Sequence, residues 1–374
     1  MLKPPSPPST LVSAKRARPR RSKKVGILQV DLALQGGGSH GAFTWGVLDR
    51  LLEEEWIEIA AISGTSAGAM NAVALAAGLM DGGRLGARRV LRRFWTRVAE
   101  LSPFHHLQTS PLAAALGPAS AWLAPWLEPF TQAATQWSSQ FSPYQLNPLN
   151  LNPLRNILTD TVDFERVRLC TKSRLFIAAT EVRTGALRVF DQHALSADVV
   201  LASACLPLLF QAVEIDGEPY WDGGYAGNPS LMPLITDSPA DDLLLVQINP
   251  LHSEQLPTSA SDILERINEV TFNASLLKEL RTIALLKQVI ADEGRPGHHY
   301  RQPLFERMQS LRVHLLDGGA SLAPLGAASK TNTQWSFLTR LHDLGRDAAG
   351  QWLADHGQAL GKHSSFDLSS MMAP

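Results

Sequence analysis

A chain of 374 residues, with 45% hydrophobic and 18% charged side chains, is long enough to bury a large core as one big domain or two smaller ones. A formal net charge of -1 gives the molecule no field to steer it to nucleic acid or to anionic lipid, and no nucleic-acid partner is expected. Two cysteines, Cys170 and Cys205, make neither a disulfide framework nor a metal site and point to a reducing, cytoplasmic compartment.

In chain order, Met1 to Lys24 come first, rich in Pro and Ser, with a basic cluster of Lys15, Arg16, Arg18, Arg20, Arg21, Lys23 and Lys24. No apolar stretch follows these charges, so the segment is not a secretory signal peptide and reads as a disordered, solvated tail. No uninterrupted apolar stretch anywhere is long enough to span a bilayer. The core pattern begins at Val25. Leu28 to Gln35 is a short apolar run between glycines, as expected of a buried strand. After the loop Gly36-Gly37-Gly38-Ser39-His40-Gly41, residues Ala42 to Glu55 place Phe43, Val47, Leu48, Leu51 and Leu52 at helical spacing. A second strand, Glu58 to Ile62, leads into Gly64-Thr65-Ser66-Ala67-Gly68 and an alanine-rich helix, Ala67 to Gly78. Strand, helix, strand, helix predicts a parallel sheet with right-handed crossovers, the start of an α/β fold.

From Leu107 to Leu154 the only charged residue is Glu128, while Trp122, Trp126, Phe130, Trp137, Phe141 and Tyr144 are interspersed with seven prolines. The prolines exclude a spanning helix and permit short helices and loops, so 102–153 reads as a cap facing lipid or as an inserted subdomain packed on the core. Further strands are expected at Arg174–Thr180, Ala186–Phe190, Phe210–Ile215, Asp242–Asn249 and Leu311–Leu316. Ile263–Ile290 and Asn332–Leu360 read as helical. There are no internal repeats.

Three short motifs carry chemistry. Gly64-Thr65-Ser66-Ala67-Gly68, between strand and helix, has the setting of a nucleophile elbow, a tight turn that pushes a serine hydroxyl out of the sheet. The competing reading is a helix N-cap, which Ser and Thr commonly supply. Gly36, Gly38 and Gly41 fit a dinucleotide fingerprint, but that reading needs an acidic residue closing the second strand; Glu58 opens it instead, so the reading fails its own context. A glycine-rich turn also exposes backbone N–H groups as an oxyanion hole, beside the elbow if the two strands are neighbours. Asp222-Gly223-Gly224, after the aromatic run Glu218 to Trp221, is by itself a common turn.

Together the three motifs resemble the patatin-like phospholipases, in which a glycine-rich loop, a G-x-S-x-G serine and a D-G-G or D-G-A aspartate follow in that order. The stretch Ala202-Ser203-Ala204, Pro207, Phe210, Gly217 and Tyr220 before the aspartate, and Asn228-Pro229 after it, also fit. The resemblance covers about Asp31 to Pro233. It implies a three-layer α/β/α sandwich with a central, mostly parallel sheet, and hydrolysis of fatty acyl esters of lipids without metal or cofactor. Ser66 is then the nucleophile and Asp222 the proton acceptor. Gly36 to Gly41 form the oxyanion loop, with Gly37 and Gly38 as N–H donors, joined by Ala67. Gly64 and Gly68 flank the elbow, and Gly223 and Gly224 follow the base. A lipid substrate and peripheral contact with a lipid surface follow. His40 stands where many members carry Arg or Lys; since the donors are backbone groups, function is expected to survive. Residues 25–374 are expected to form the hydrolase domain, 250–374 being a mostly helical extension. The rivals are a Ser-His-Asp carboxylesterase using His314 or His342, and a noncatalytic lipid-binding scaffold.

Overall fold

The computed structural model describes residues 26–101, 141–251, 256–293 and 300–372; the basic tail and residues 102–140 of the expected cap lie outside them. Eight strands form one sheet: β1 Leu28–Leu34, β2 Ile57–Gly64, β3 Arg174–Glu181, β4 Leu187–Asp191, β5 Val213–Ile215, β6 Glu218–Asp222, β7 Asp242–Gln247 and β8 Arg312–Asp317. The order is β5-β6-β3-β2-β1-β7-β8, with β4 also pairing with β3. The centre, β3-β2-β1-β7-β8, is parallel; at one side β4 and β6 pair antiparallel with β3, and β5 pairs antiparallel with β6.

The two-residue period of a strand divides its side chains between two cores. Leu32 and Leu34 of β1 and Leu244 and Val246 of β7 face one way, against helices α1 Gly41–Leu51, α2 Ala67–Glu100 and α3 Ala197–Ser203. Ala33, Leu243 and Leu245 face the other way, against α4 Met232–Asp237, α5 Ala260–Glu293 and α6 Pro303–Ser310. Helix α7 Trp335–His356 joins the first layer. The fold is therefore the expected α/β/α sandwich, with both faces of the sheet covered.

Several expected boundaries shift. Helix α1 stops at Leu51 because Leu52 to Glu54 turn back to bring Trp56 and Ile57 beside Leu28. Helix α2 runs on past Gly78 to Glu100, with a break at Gly82 and Gly83, where Gly83 takes φ 60°. The break lets the two halves cross with Gly78 against Gly86 and Ala87, a contact no larger residue allows. The strand expected at Phe210–Ile215 shrinks to Val213–Ile215, since the N–H groups of Leu209 and Phe210 both turn back to the Leu206 carbonyl. The aromatic run before Asp222 is itself a strand, β6. It is joined to β5 by Asp216 and Gly217, both at positive φ (54° and 81°), the geometry of a two-residue hairpin turn.

The C-terminal third joins the core. β8 extends the sheet beside β7, and α7 lies across α1 with Gly46 on the His342 carbonyl and Gly345 on the Phe43 carbonyl.

Candidate active site

The carboxyl ends of β1 and β2 are level, Leu34 pairing with Gly64, so the loop after β1 and the turn after β2 emerge side by side. Ser66 sits at φ 54°, ψ -120°, a left-handed backbone that costs a non-glycine residue on the order of 1–3 kcal/mol and persists where the surroundings enforce it. It occupies the position before α2, yet its side chain makes no capping bond. The helix-cap reading therefore fails, and the hydroxyl is not spent on the helix. The flanking glycines serve closeness rather than the turn. A Cβ on Gly64 would lie 2.7 Å from the Gly68 carbonyl, and one on Gly68 would strike the Leu34 carbonyl. The elbow is tied down by neighbours: Ser66 N–H donates to Ser203 Oγ at 2.9 Å, and the hydroxyls of Thr65 and Ser63 donate to the carbonyls of Gly227 and Ser230 at 2.7 and 2.6 Å.

Asp222 ends β6 opposite Ala179, its N–H on the Cys205 carbonyl at 2.8 Å and its carbonyl accepting the Thr180 hydroxyl at 2.8 Å. The carboxyl is fully buried. Oδ1 accepts the Gly224 N–H at 2.7 Å, while Oδ2 is buried with no hydrogen-bond partner. An orphaned buried carboxylate oxygen is costly and calls for an account. Burial pushes the carboxyl up to about 7, against the lowering pull of the Gly224 N–H and of the Ser66 hydroxyl. The Ser66 hydroxyl lowers it without donating a hydrogen bond to Oδ2. Gly223 seats this turn on the elbow, where a Cβ would be 3.0 Å from Thr65 Cγ2; Gly224 lies under the Phe272 ring.

The glycine loop meets the same point. A Cβ on Gly36 would lie 2.7 Å from Ser66 Cβ. Gly36 is held at both ends, its N–H donating to Asn228 Oδ1 and its carbonyl accepting from Asn249 Nδ2, each at 2.7 Å. It is therefore scaffold. The N–H groups of Gly37 and Gly38 are bonded to no acceptor among the described residues. Gly38 takes φ 59°, which favours glycine. Ser39 and His40 are buried. His40 Nε2 and Ser329 Oγ are 2.7 Å apart, and burial together with the Lys330 charge pushes the imidazole down to about 4, so it is neutral at pH 7. Gly41 lies on Ala67, its carbonyl accepting from Asn71 at 2.9 Å.

Neither histidine nominated for a triad reaches Ser66. His314 is buried in β8 with its two ring nitrogens on Ser365 and Asp242, at 2.9 and 3.0 Å. His342 packs on the Trp45 ring at 4.0 Å and faces Asp49 and Asp343. Cys205 is buried, its thiol pushed up to about 12 chiefly by burial, and Phe94 and Trp95 are core residues. Reading by motif missed the residues that hold the loops, namely Gln35, Ser203, Asn228 and Asn249. Ser203 and Asn228 lie in stretches the resemblance had singled out; Gln35 and Asn249 carry no local signal.

A strained serine at a strand–helix turn, a buried carboxyl with a free oxygen, and a loop of uncommitted amides place the fold and site among serine-elbow α/β proteins. The family description "Patatin-like phospholipase" matches residues 32–235, more than half of the chain. The chain belongs to the patatin-like phospholipase family, a family of lipid hydrolases. No curated protein matches it. Among solved structures it is similar to VipD from Legionella pneumophila, at 15% identity over 91% of this chain and 72% of that one, with a TM-score of 0.40. It is also similar to the type III effector ExoU, at 16% identity over 91% of this chain and 77% of that one, TM-score 0.26. In its complex with SpcU, from the type III secretion system of Pseudomonas aeruginosa, ExoU aligns at 14% identity over 71% and 59%, TM-score 0.27.

Proposed function

We propose that the protein is a serine acyl hydrolase that cleaves fatty acyl esters of lipids, phospholipid or lysophospholipid first, with Ser66 as nucleophile and Asp222 as its base. Ser66 Oγ attacks the ester carbonyl carbon while its proton passes to Asp222 Oδ2. The N–H groups of Gly37 and Gly38 take the charge that develops on the carbonyl oxygen. The carbon–oxygen bond to the alcohol breaks, and the alcohol leaves with the proton from Asp222. Water then attacks the acyl-enzyme, giving its proton to Asp222, and the fatty acid departs as the proton returns to Ser66. Protein groups and water balance every step.

The observation that carries this reading is the unpaired, buried Oδ2 of Asp222 beside a serine hydroxyl that caps nothing. The exposed apolar side chains Leu208 and Leu209, just after Cys205, support a lipid-facing rim with peripheral contact to a lipid surface. Tyr144 adds to this rim, its hydroxyl accepting the Ala212 N–H at 3.3 Å. Among the described residues no helix is long and apolar enough to cross a membrane. The reading takes residues 25–374 as one hydrolase unit with 102–153 as its cap, and the two buried, free thiols favour a reducing compartment. A fluorophosphonate probe tests the chemistry. Labelling of the native protein, lost in Ser66→Ala and slowed at least about a hundredfold in Asp222→Asn, is the expected result. A folded native protein that takes no label, or labels equally without Ser66, overturns it.

A further inference from the structure

A loop of glycines has no side chains with which to hold itself, so its amides point where other parts of the chain aim them. The 3-10 turn at 327–331, almost three hundred residues downstream, closes on this loop. Ser329 Oγ meets His40, and the Lys330 carbonyl packs on Gly38. Lys330 Nζ donates to Asn249 Oδ1 at 2.8 Å, and Asn249 Nδ2 donates to the Gly36 carbonyl at 2.7 Å.

We propose that Lys330 is a positioning residue for the oxyanion hole, acting through Asn249 on the Gly36–Gly37 peptide. An ammonium group has donors and no acceptor, so it engages only the oxygen end of the Asn249 carboxamide and thereby turns the NH2 end to Gly36. In a planar trans peptide the carbonyl of Gly36 and the N–H of Gly37 point to opposite sides. Fixing that carbonyl on Asn249 aims the Gly37 N–H away from Asn249, and the Asn228 contact at the Gly36 N–H stops the loop from rotating as a whole. Gln35 Oε1 accepts the N–H groups of Ile248 and Asn249 at 2.9 and 2.8 Å, so the base of the clamp is itself fixed. Neither Asn249 nor Lys330 lies within the region matched by the family. The inference rests on the reading of Gly37 as an oxyanion donor.

The test is steady-state hydrolysis of a short p-nitrophenyl ester, with fluorophosphonate labelling and thermal melts of each variant. Lys330→Met is expected to lower kcat about tenfold or more with KM within about twofold, and Lys330→Arg to restore most of it. Asn249→Asp keeps a partner for Lys330 but loses the donor to Gly36, and is expected to show the same kcat loss. Because Lys330 acts through Asn249, the double variant Lys330→Met, Asn249→Asp is expected to be no slower than Asn249→Asp alone. A native kcat in folded Lys330→Met, a loss confined to KM, or fully multiplicative losses overturn the inference while leaving Ser66 labelling intact. An unlabelled native protein brings down the functional reading and this one together.

Discussion

In the proposed chemistry a single carboxyl sets the pH behaviour. Burial holds Asp222 at about 7, well above an ordinary aspartate, so below that pH it is protonated and too weakly basic to take the serine proton. The kcat/KM is predicted to rise with pH through a single limb centred near 7, read from a pH profile on a soluble ester. Asp222→Asn keeps the acceptor for the Gly224 N–H but is expected to lose about a thousandfold in kcat and the limb with it. The same shift sets a stability trend of the opposite sense: the folded-state pKa exceeds the unfolded one, so ionising Asp222 between about pH 4 and 7 costs the fold stability. At this scale the candidate site was largely legible. Ser66 and Asp222 stand in glycine-flanked motifs because the chain must approach itself closely there, and that closeness leaves a trace in sequence. Gln35, Asn249 and Lys330 left none, because a lone polar residue whose partner lies far along the chain has no pattern to betray it.

At the scale of elements, buried parallel strands read clearly as short apolar runs, and β1, β2, β3, β7 and β8 fell close to their expected places. The misses have local causes. Asp216-Gly217 is a hairpin signal that identifies β6, but Glu218 and Pro219 directly after it break the apolar pattern of a strand. Gly82-Gly83 hides the second half of α2, whose arginines cover only its outer face. The packing of α7 on α1 depends on two glycines, each of which lets a backbone carbonyl of the other helix approach. Gly345→Val is therefore expected to destabilise the protein by about 2–3 kcal/mol, with the loss visible in a denaturant melt. A melt within 0.5 kcal/mol of native, about the spread of a neutral surface change, contradicts this account of the helix pair.

At the scale of the molecule, the strand order 2-1-7-8 draws the last third of the chain against the first. No window of sequence reports that, since β1 and β8 are both apolar strands and their shared neighbour β7 is a matter of long-range pairing. The consequence is functional. The carboxyl ends of β1 and β2, the return of β6 and the downstream turn at 327–331 meet at one end of the sheet, so the proposed chemistry is assembled from parts spread over most of the chain. Locating the acyl group during turnover tests this assembly most directly. Acid quench of the protein hydrolysing p-nitrophenyl butyrate, followed by peptide mass mapping, is predicted to find one butyryl group on the peptide that contains Ser66. The acyl group on any other side chain, or undiminished turnover by Ser66→Ala, contradicts it.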